Sequence, residues 1–223
     1  MTLFRAVGAL VALLGLTGNV ALTPSEVAFE VPAGGAPRET SILVSNRGGQ
    51  PRYFTVTVEQ GRTLDPTMLR IFPDQFVVPP NESVRFTVEV VGAPEKDSVS
   101  GIILLKEIAV ENTQSQGSTL EVQLLISLPA HIALENTAPD IHAAFSEGQC
   151  DAITVVNRGR RYAYLSDYLF RDAGGELISR EQLISQLEGN SLILPSGTRQ
   201  ISLAQTSEAC GVVEVSKRDV RQR

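Results

Sequence analysis

The chain has 223 residues, of which 43% are hydrophobic and 20% charged, and its 25 Asp and Glu outnumber its 19 Lys and Arg. This composition excludes a disordered or collagen-like chain, and the length allows one large domain or two small ones. The formal charge of −6 argues against a nucleic-acid partner, because phosphate binding needs a basic surface.

The N-terminus has the pattern of a secretory signal peptide. Arg5 precedes an uncharged apolar run over residues 6–16, which has the length of a signal-peptide hydrophobic region and is too short to span a bilayer. The alternative, a buried helix, is disfavoured because the run contains two Gly and starts almost at residue 1. We predict a signal peptide over residues 1–21 and a mature protein that is soluble in an oxidising compartment.

From residue 22 onward, apolar and polar residues alternate with a period of two, which is typical of half-buried β-strands. The clearest examples are residues 54–58, 84–90 and 120–124. Clusters such as Gly48-Gly49 and Pro79-Pro80 separate these segments and predict turns. The mature chain is therefore predicted to be all-β.

Two strand-and-turn units occur twice, in the same order. Residues 42–48, Ile-Leu-Val-Ser-Asn-Arg-Gly, match residues 153–159, Ile-Thr-Val-Val-Asn-Arg-Gly. A turn that leads through a Pro and an Arg into a strand, residues 78–86, has a counterpart in residues 194–201. The repeat predicts two copies of an immunoglobulin-like β-sandwich.

We place the domain boundary near residues 129–131, where a long apolar strand meets a Pro and small residues. The predicted domains are an N-terminal domain over residues 22–130 and a C-terminal domain over residues 131–223. His131 lies at this boundary, where it is either a partly exposed polar residue, which we favour, or an interdomain contact.

The two cysteines fall near opposite ends of the predicted second domain. Cys150 precedes its first strand, and Cys210 lies in its last strand candidate. A disulfide between them would close a loop of about 60 residues and stabilise the domain by roughly 4 kcal/mol. Export favours the bridge, and two free buried thiols are the alternative.

The sequence shows no pattern typical of a catalytic or metal site. It contains no Gly-x-Ser-x-Gly elbow and no calcium loop, and neither His131 nor His142 stands in a ligand or triad spacing. The Gly pairs precede no strand-to-helix unit that could hold a phosphate. We assign no catalytic residue, metal, cofactor or small-molecule substrate, and no enzyme activity.

One predicted strand carries an apolar face that could serve a partner. Its alternate residues are Leu120, Val122, Leu124, Ile126 and Leu128. This face either lines the core of its own domain, which is the more common arrangement, or offers an apolar ladder to another chain. If the strand lies at a sheet edge, its free backbone groups can pair with an added strand.

The order and spacing of these segments resemble those of the PapD-like periplasmic pilus-assembly chaperones. The resemblance rests on residues 42–46, 51–53, 71–73, 78–86, 104–108, 120–128, 156–157 and 192–195. It implies two immunoglobulin-like domains set in an L, located in the periplasm. It also implies a chaperone that lends alternate apolar residues of the last strand of domain one to a pilus subunit. Such a chaperone then delivers the subunit to an outer-membrane usher. Neither step uses ATP or a cofactor.

The chain departs from the family pattern at the charged anchor. Family members carry an Arg near the first strand and a Lys in the last strand of domain one, which together hold the carboxylate at the C-terminus of the subunit. Here the first position falls in residues 23–27, and residues 120–128 contain no basic residue. Arg85 and Lys106 are the remaining candidates for basic contacts with a subunit.

The sequence therefore predicts a divergent chaperone of pilus or fimbrial subunits that acts by donor-strand complementation through residues 120–128. The alternative is a structural or adhesive immunoglobulin-like protein of the cell envelope with no chaperone activity.

Overall fold

The computed structural model describes residues 20–34, 37–59, 63–108, 123–146, 151–178, 191–203 and 212–217. The alternating segments form strands, joined by turns rich in Gly, Pro and Asn. The strands are β1 (Val20–Thr23), β2 (Val27–Val31), β3 (Arg38–Asn46), β4 (Arg52–Glu59), β5 (Leu69–Phe72), β6 (Gln75–Val78), β7 (Ser83–Val90), β8 (Val99–Ile108), β9 (Leu125–Leu134), β10 (Ile141–Phe145), β11 (Ala152–Asn157), β12 (Ala163–Tyr164), β13 (Tyr168–Arg171), β14 (Leu192–Ile193), β15 (Thr198–Ser202) and β16 (Val212–Lys217).

The N-terminal strands form a two-sheet sandwich. One sheet has the order β1-β3-β7-β5, and the other has the order β2-β9-β8-β4-β6. Their inward side chains form one core, as the alternation predicts; in β7, Phe86, Val88 and Val90 are buried while the residues between them are more exposed.

The C-terminal strands form a second, separate core. A five-stranded sheet has the order β13-β16-β10-β11-β15, and β12 pairs with β14. Ile153, Val155, Phe170 and Ile201 are fully buried within this core. The predicted all-β architecture of two immunoglobulin-like sandwiches is confirmed.

The sequence repeat corresponds to the same buried turn in both domains. The side-chain nitrogen of Asn46 donates to the carbonyl oxygens of Gln50 (2.8 Å) and Val78 (3.1 Å), and its side-chain oxygen accepts from Gly48 N (2.9 Å). Both Asn46 and its counterpart in the second domain are almost fully buried.

In the second domain the counterpart is Asn157. Its side-chain nitrogen donates to the carbonyl oxygens of Arg161 (2.7 Å) and Ile193 (3.5 Å), and its side-chain oxygen accepts from Gly159 N (3.0 Å). In each domain the Asn satisfies backbone groups at the same positions, two and four residues further along, so the repeat reflects one structural requirement met twice.

The second half of the repeat also recurs, with a one-residue shift from the alignment of the two Arg. Asn81 and Ser196 both adopt a positive φ, at 59° and 58°. The strand pairs Ser45↔Ser83 and Val156↔Thr198 follow these turns. Arg85 therefore corresponds to Gln200 and not to Arg199.

The strand at the predicted domain boundary ends later in the chain than expected. β9 continues through residue 130 and pairs with β2 in parallel as far as Val31↔Leu134. We propose that the N-terminal domain ends after Leu134, because residues 131–134 belong to its sheet.

Several predictions fall on other residues. The signal peptide, apart from its last two residues, lies outside the described residues, as do Leu120, Val122, Cys150 and Cys210. In the described parts of the chain, no helix is long and apolar enough to cross a membrane.

Candidate functional site

The first half of β9 forms a free edge among the described residues. β9 pairs with β8 along Leu125–Ile132, but β2 covers its other side only from Ala130 onward. β2 starts late because the chain before it, as β1, pairs with β3 in the opposite sheet. Within the described ranges, residues 125–129 therefore have a strand neighbour on one side only.

Alternate backbone groups of this segment point away from the sheet. Glu107 N donates to Leu124 O at 2.9 Å, so Leu124 and every second residue after it turn their backbone groups toward β8. The N–H and C=O groups of Leu125 and Ser127 face outward, where an added strand could pair with them. Pro129, at the next outward position, has no N–H to offer.

The apolar face of this segment becomes more buried along its length. Leu124 and Ile126 are half-buried and pack against the core, whereas Leu128 is 2% exposed and belongs to the core. Leu125 points to the opposite face of the sheet and is 59% exposed. Three residues of the predicted apolar face are therefore described, and their exposure increases from Leu128, in the core, to Leu124.

The opposite sheet contributes its own edge strand at this side of the sandwich. Val20 and Leu22 on β1 are half-buried and pack against the same core as Leu124 and Ile126. Because β1 and β2 belong to different sheets, the two sheets are not closed by a shared strand here. These half-buried side chains of β1 and of the free edge form an apolar surface, which we name the apolar strip; its residues are Val20, Leu22, Leu124 and Ile126.

A carboxylate that the sequence analysis did not single out fixes the start of β9. The side chain of Glu107 accepts from both Leu124 N (3.2 Å) and Arg52 Nη1 (3.0 Å). Both charged side chains are largely buried. This contact holds the residue that precedes β9 against β8, and it could have been suspected from the Lys-Glu-Ile segment of the resemblance.

The structure separates the two predicted basic residues. Lys106 is exposed on β8, where it pairs with Leu125 beside the free edge. Arg85 is exposed on β7, where it pairs with Leu43 in the other sheet. Lys106 therefore lies beside the free edge, whereas Arg85 lies in the opposite sheet.

Beyond the free edge, His131 forms a polar cluster at the junction of the two domains. Its ring nitrogens lie 2.7 Å from Ser100 Oγ and 3.1 Å from the hydroxyl of Tyr164 in the second domain. Its ring packs on Tyr162 with centroids 4.5 Å apart, and Glu26 Oε1 lies 3.7 Å from Nε2. His131 is 1% exposed, so the favoured prediction of a partly exposed residue was wrong and the alternative, an interdomain contact, is correct.

Backbone groups also join the two domains. Ser98 N donates to Arg160 O (2.8 Å), and Tyr162 N donates to Ser98 Oγ (2.7 Å). The Arg160 side chain donates to Lys96 O, and Arg161 pairs with Glu30. Beside these contacts lies a cleft of about 470 Å³ whose walls include Glu30, Arg161, Tyr162, Tyr164 and Tyr168.

The tyrosines of the junction have raised pKa values. Burial is the main cause for Tyr162, Tyr164 and Tyr168, because it disfavours the charged phenolate. For Tyr164, the hydrogen bond to Glu26 and the negative charge of that carboxylate raise the pKa further. These hydroxyls act as neutral hydrogen-bonding groups at physiological pH.

A second surface feature lies on the outer face of the β9 sheet. Val77, Tyr53 and Ile108 are paired across β6, β4 and β8 and are 41%, 37% and 42% exposed. They form an exposed apolar row, which we name the outer row. It lies on the face of the sheet opposite the core.

The described residues contain no group of three His, Cys, Asp or Glu side chains that could hold a metal ion. What the geometry offers is a strand edge, an apolar strip and a polar junction, which are features suited to binding a polypeptide.

No family model and no curated protein sequence matches the chain. Solved structures do. The Escherichia coli chaperone DraB aligns with a TM-score of 0.60 at 14% identity, over 90% of this chain and 96% of DraB. The Pseudomonas aeruginosa CupB2 chaperone aligns with a TM-score of 0.56 at 15% identity, over 87% of this chain and 90% of CupB2.

A third similar structure is that of the Salmonella enterica SafA pilin in complex with the SafB chaperone. It aligns with a TM-score of 0.58 at 13% identity, over 89% of this chain and 95% of the matched chain. All three alignments extend across both sandwiches. The chain therefore has the two-domain immunoglobulin-like fold of the PapD-like fimbrial chaperones.

Proposed function

We propose that this protein is a periplasmic chaperone that binds pilus or fimbrial subunits and lends them the first half of β9. The observation that carries the proposal is the free edge of residues 125–129, which has β8 on one side and no strand of the described residues on the other. An exposed edge with an apolar face is a template for another chain. Proteins usually cover such an edge, so its retention here supports a binding role.

The apolar strip supports the same role. An added strand at this edge would pair with the outward backbone groups of Leu125 and Ser127 and would extend the sheet that contains Leu124 and Ile126. A subunit that lacks one strand of its own sandwich would thereby gain backbone partners for that gap and apolar contacts from β9. No covalent step, cofactor or ATP is required.

The fold supports a fimbrial subunit as the partner. The similar structures include one of SafB with the SafA pilin and one of CsuC with the CsuE tip adhesion subunit of Acinetobacter baumannii, the latter with a TM-score of 0.52. A periplasmic location is supported by the predicted signal peptide and by the likeness to the periplasmic chaperone SfaE, at a TM-score of 0.52. Because Val20 and Ala21 pair with β3 as part of β1, we propose that cleavage precedes Val20 and does not follow residue 21.

Capture of subunits from periplasmic extract tests the proposal. Full-length protein should retain a pilin-like protein identifiable by mass spectrometry, and Ser127→Pro should abolish this capture because it removes one outward N–H. Ser127→Ala, which keeps the N–H, should capture as well as the original protein. Equal capture by Ser127→Pro, with its fold verified by circular dichroism, would contradict strand addition at this edge.

Delivery of a subunit requires a second surface, and the outer row suits an outer-membrane usher. It lies on the outer sheet face, away from the apolar strip, so both partners could bind together. Ile108→Asp should leave subunit capture intact while reducing the amount of subunit that reaches the cell surface. Leu177→Asp, at an apolar residue of the second domain that is 50% exposed, is the matched surface control and should change neither. Normal surface assembly by Ile108→Asp would exclude the outer row as the usher contact.

A further inference from the structure

The free edge of β9 ends at an acidic side chain. β2 begins to pair at Val27↔Ala130, and Glu26 immediately precedes it. A strand added along residues 125–129 would lie in line with β2, and its end would therefore meet Glu26. The carboxylate of Glu26 is 37% exposed, so it remains accessible to such a strand.

Glu26 has no Lys or Arg partner among the residues that the structure describes. No Lys or Arg nitrogen among the residues that the structure describes lies within 4.0 Å of it. Its described contacts are His131 Nε2 at 3.7 Å and the hydroxyl of Tyr164. Arg161, also at the domain junction, pairs with a second carboxylate, that of Glu30.

We infer that the bound subunit presents a basic side chain, Lys or Arg, at the end of its strand that meets Glu26. The inference rests on the proposed function and specifies its partner: the subunit strand is apolar along β9 and cationic at the domain junction. A partly enclosed carboxylate favours a cation and disfavours a second carboxylate, which makes Glu26 a specificity-determining residue.

The cluster around His131 holds Glu26 in position for this contact. Glu26 Oε1 lies 3.7 Å from His131 Nε2, and its carboxylate also interacts with the Tyr164 hydroxyl. His131 in turn bonds to Ser100 and Tyr164. The carboxylate is thus held by residues from β8, β9 and β12. A fixed charge of this kind loses less entropy on binding than a mobile surface side chain.

Peptide binding tests the inference. The probes are nine-residue peptides of alternating Val and Thr, acetylated and amidated, that differ only in a Lys, Gln or Glu at one end. Each is made in two versions, with the variable residue first or last, because the direction of the added strand is not fixed by the edge alone. Affinities for the full-length protein are measured by fluorescence anisotropy at low and high salt.

In one of the two versions, the Lys peptide should bind about fivefold more tightly than the Gln peptide at low salt, and the Glu peptide more weakly than both. The preference should shrink at high salt because the contact is partly exposed. Glu26→Gln should remove it, and Glu26→Lys should reverse it in favour of the Glu peptide. Glu39→Gln removes the same charge from an exposed site on β3 in the other sheet, and it should leave the preference unchanged.

The outcomes separate this inference from the proposed function. If all peptides bind equally and Ser127→Pro abolishes their binding, the strand edge functions as proposed and the role of Glu26 is refuted. A Lys preference that survives in both Glu26 variants refutes it as well. If no peptide binds, the proposed function and this inference both fail.

Discussion

Two buried asparagines carry equivalent structural roles in the two domains. Asn46→Ala would leave the carbonyls of Gln50 and Val78 and the N–H of Gly48 without their bonds. We expect a loss of about 2–4 kcal/mol in the free energy of unfolding, since unpaired buried polar groups are costly. Asn157→Ala should have a similar effect on the second domain.

Chemical denaturation followed by circular dichroism measures both losses. Arg47→Ala, at the exposed neighbour of Asn46, is the control and should change the free energy of unfolding by less than about 0.5 kcal/mol. Equal effects of Arg47→Ala and Asn46→Ala would contradict the role assigned to the buried amide.

The tyrosines of the junction make stability depend on alkaline pH. Because the folded protein raises the pKa of Tyr162, Tyr164 and Tyr168, it keeps their protons at a pH where the unfolded chain, with tyrosine pKa values of about 10, releases them. Their contribution to stability is complete below pH 10 and is lost as the pH rises above it. Denaturation at pH 9 and near pH 11 should show the decrease, and Tyr164→Phe should reduce it. An unchanged pH dependence in Tyr164→Phe would show that this hydroxyl is not responsible.

At the residue scale, the sequence predicted the contacts between residues that are close together along the chain. Asn46 and Asn157 stand in the same short motif, since each serves backbone groups two and four residues away. His131 gave no such signal, because its hydrogen-bond partners, Ser100 and Tyr164, are more than 30 residues distant on either side. His131 is buried because the two domains pack together around it, and no single segment of the sequence indicates that packing.

We expect two apolar residues in or next to β9 to have different roles, Leu128 in stability and Leu124 in subunit binding. Leu128 is buried in the core and Leu124 is half-buried near the free edge. Leu128→Ala should therefore lower the free energy of unfolding by about 2–5 kcal/mol. Leu124→Asp should lower it less, but should reduce subunit affinity at least about tenfold through lost apolar contact.

Thermal melting and subunit binding, measured on the same two proteins, distinguish these effects. A larger loss of stability in Leu124→Asp than in Leu128→Ala would mean that Leu124 serves mainly its own core. Unaltered subunit affinity in a well-folded Leu124→Asp would exclude the apolar face from binding.

At the element scale, period-two alternation predicted the strands and the inward face of β9. The edge could not be predicted in the same way. Whether residues 125–129 are covered depends on where β2 begins its parallel pairing, and β2 is separated from β9 by most of the first domain. The free edge exists because β1 pairs with β3 in the other sheet. This pairing joins residues that are far apart in the sequence, so no local pattern predicts it.

The extent of the first domain can be tested with two fragments of the whole molecule. A fragment of residues 20–136 keeps all of β9, whereas residues 20–130 lose Ile132 and Leu134, which are buried against the same core. The longer fragment should unfold cooperatively, and the shorter one should be markedly less stable, because β2 would lose four of its five described partners. Circular dichroism melts measure both. Equal stability would place the boundary after residue 130.

At the scale of the whole molecule, the repeat predicted two sandwiches because each must satisfy the same buried turn. The contacts between the sandwiches were not predictable, since they join loops at residues 96–98 and 160–162 that have no pattern in common. Glu26, one of the residues 23–27 where the resemblance places the first charged anchor, lies in the structure within the polar cluster.

The crossing of the chain from β1 to β2 would also fix the register of a strand added at the free edge. A strand that enters beside residues 125–129 cannot slide past Val27, because β2 already occupies the continuation of that edge. A shift of one residue would turn every apolar side chain of the guest to the wrong face. Under the proposed function, the start of β2 would therefore limit how far a guest strand can slide, and it would favour one alignment among many in a repetitive apolar strand.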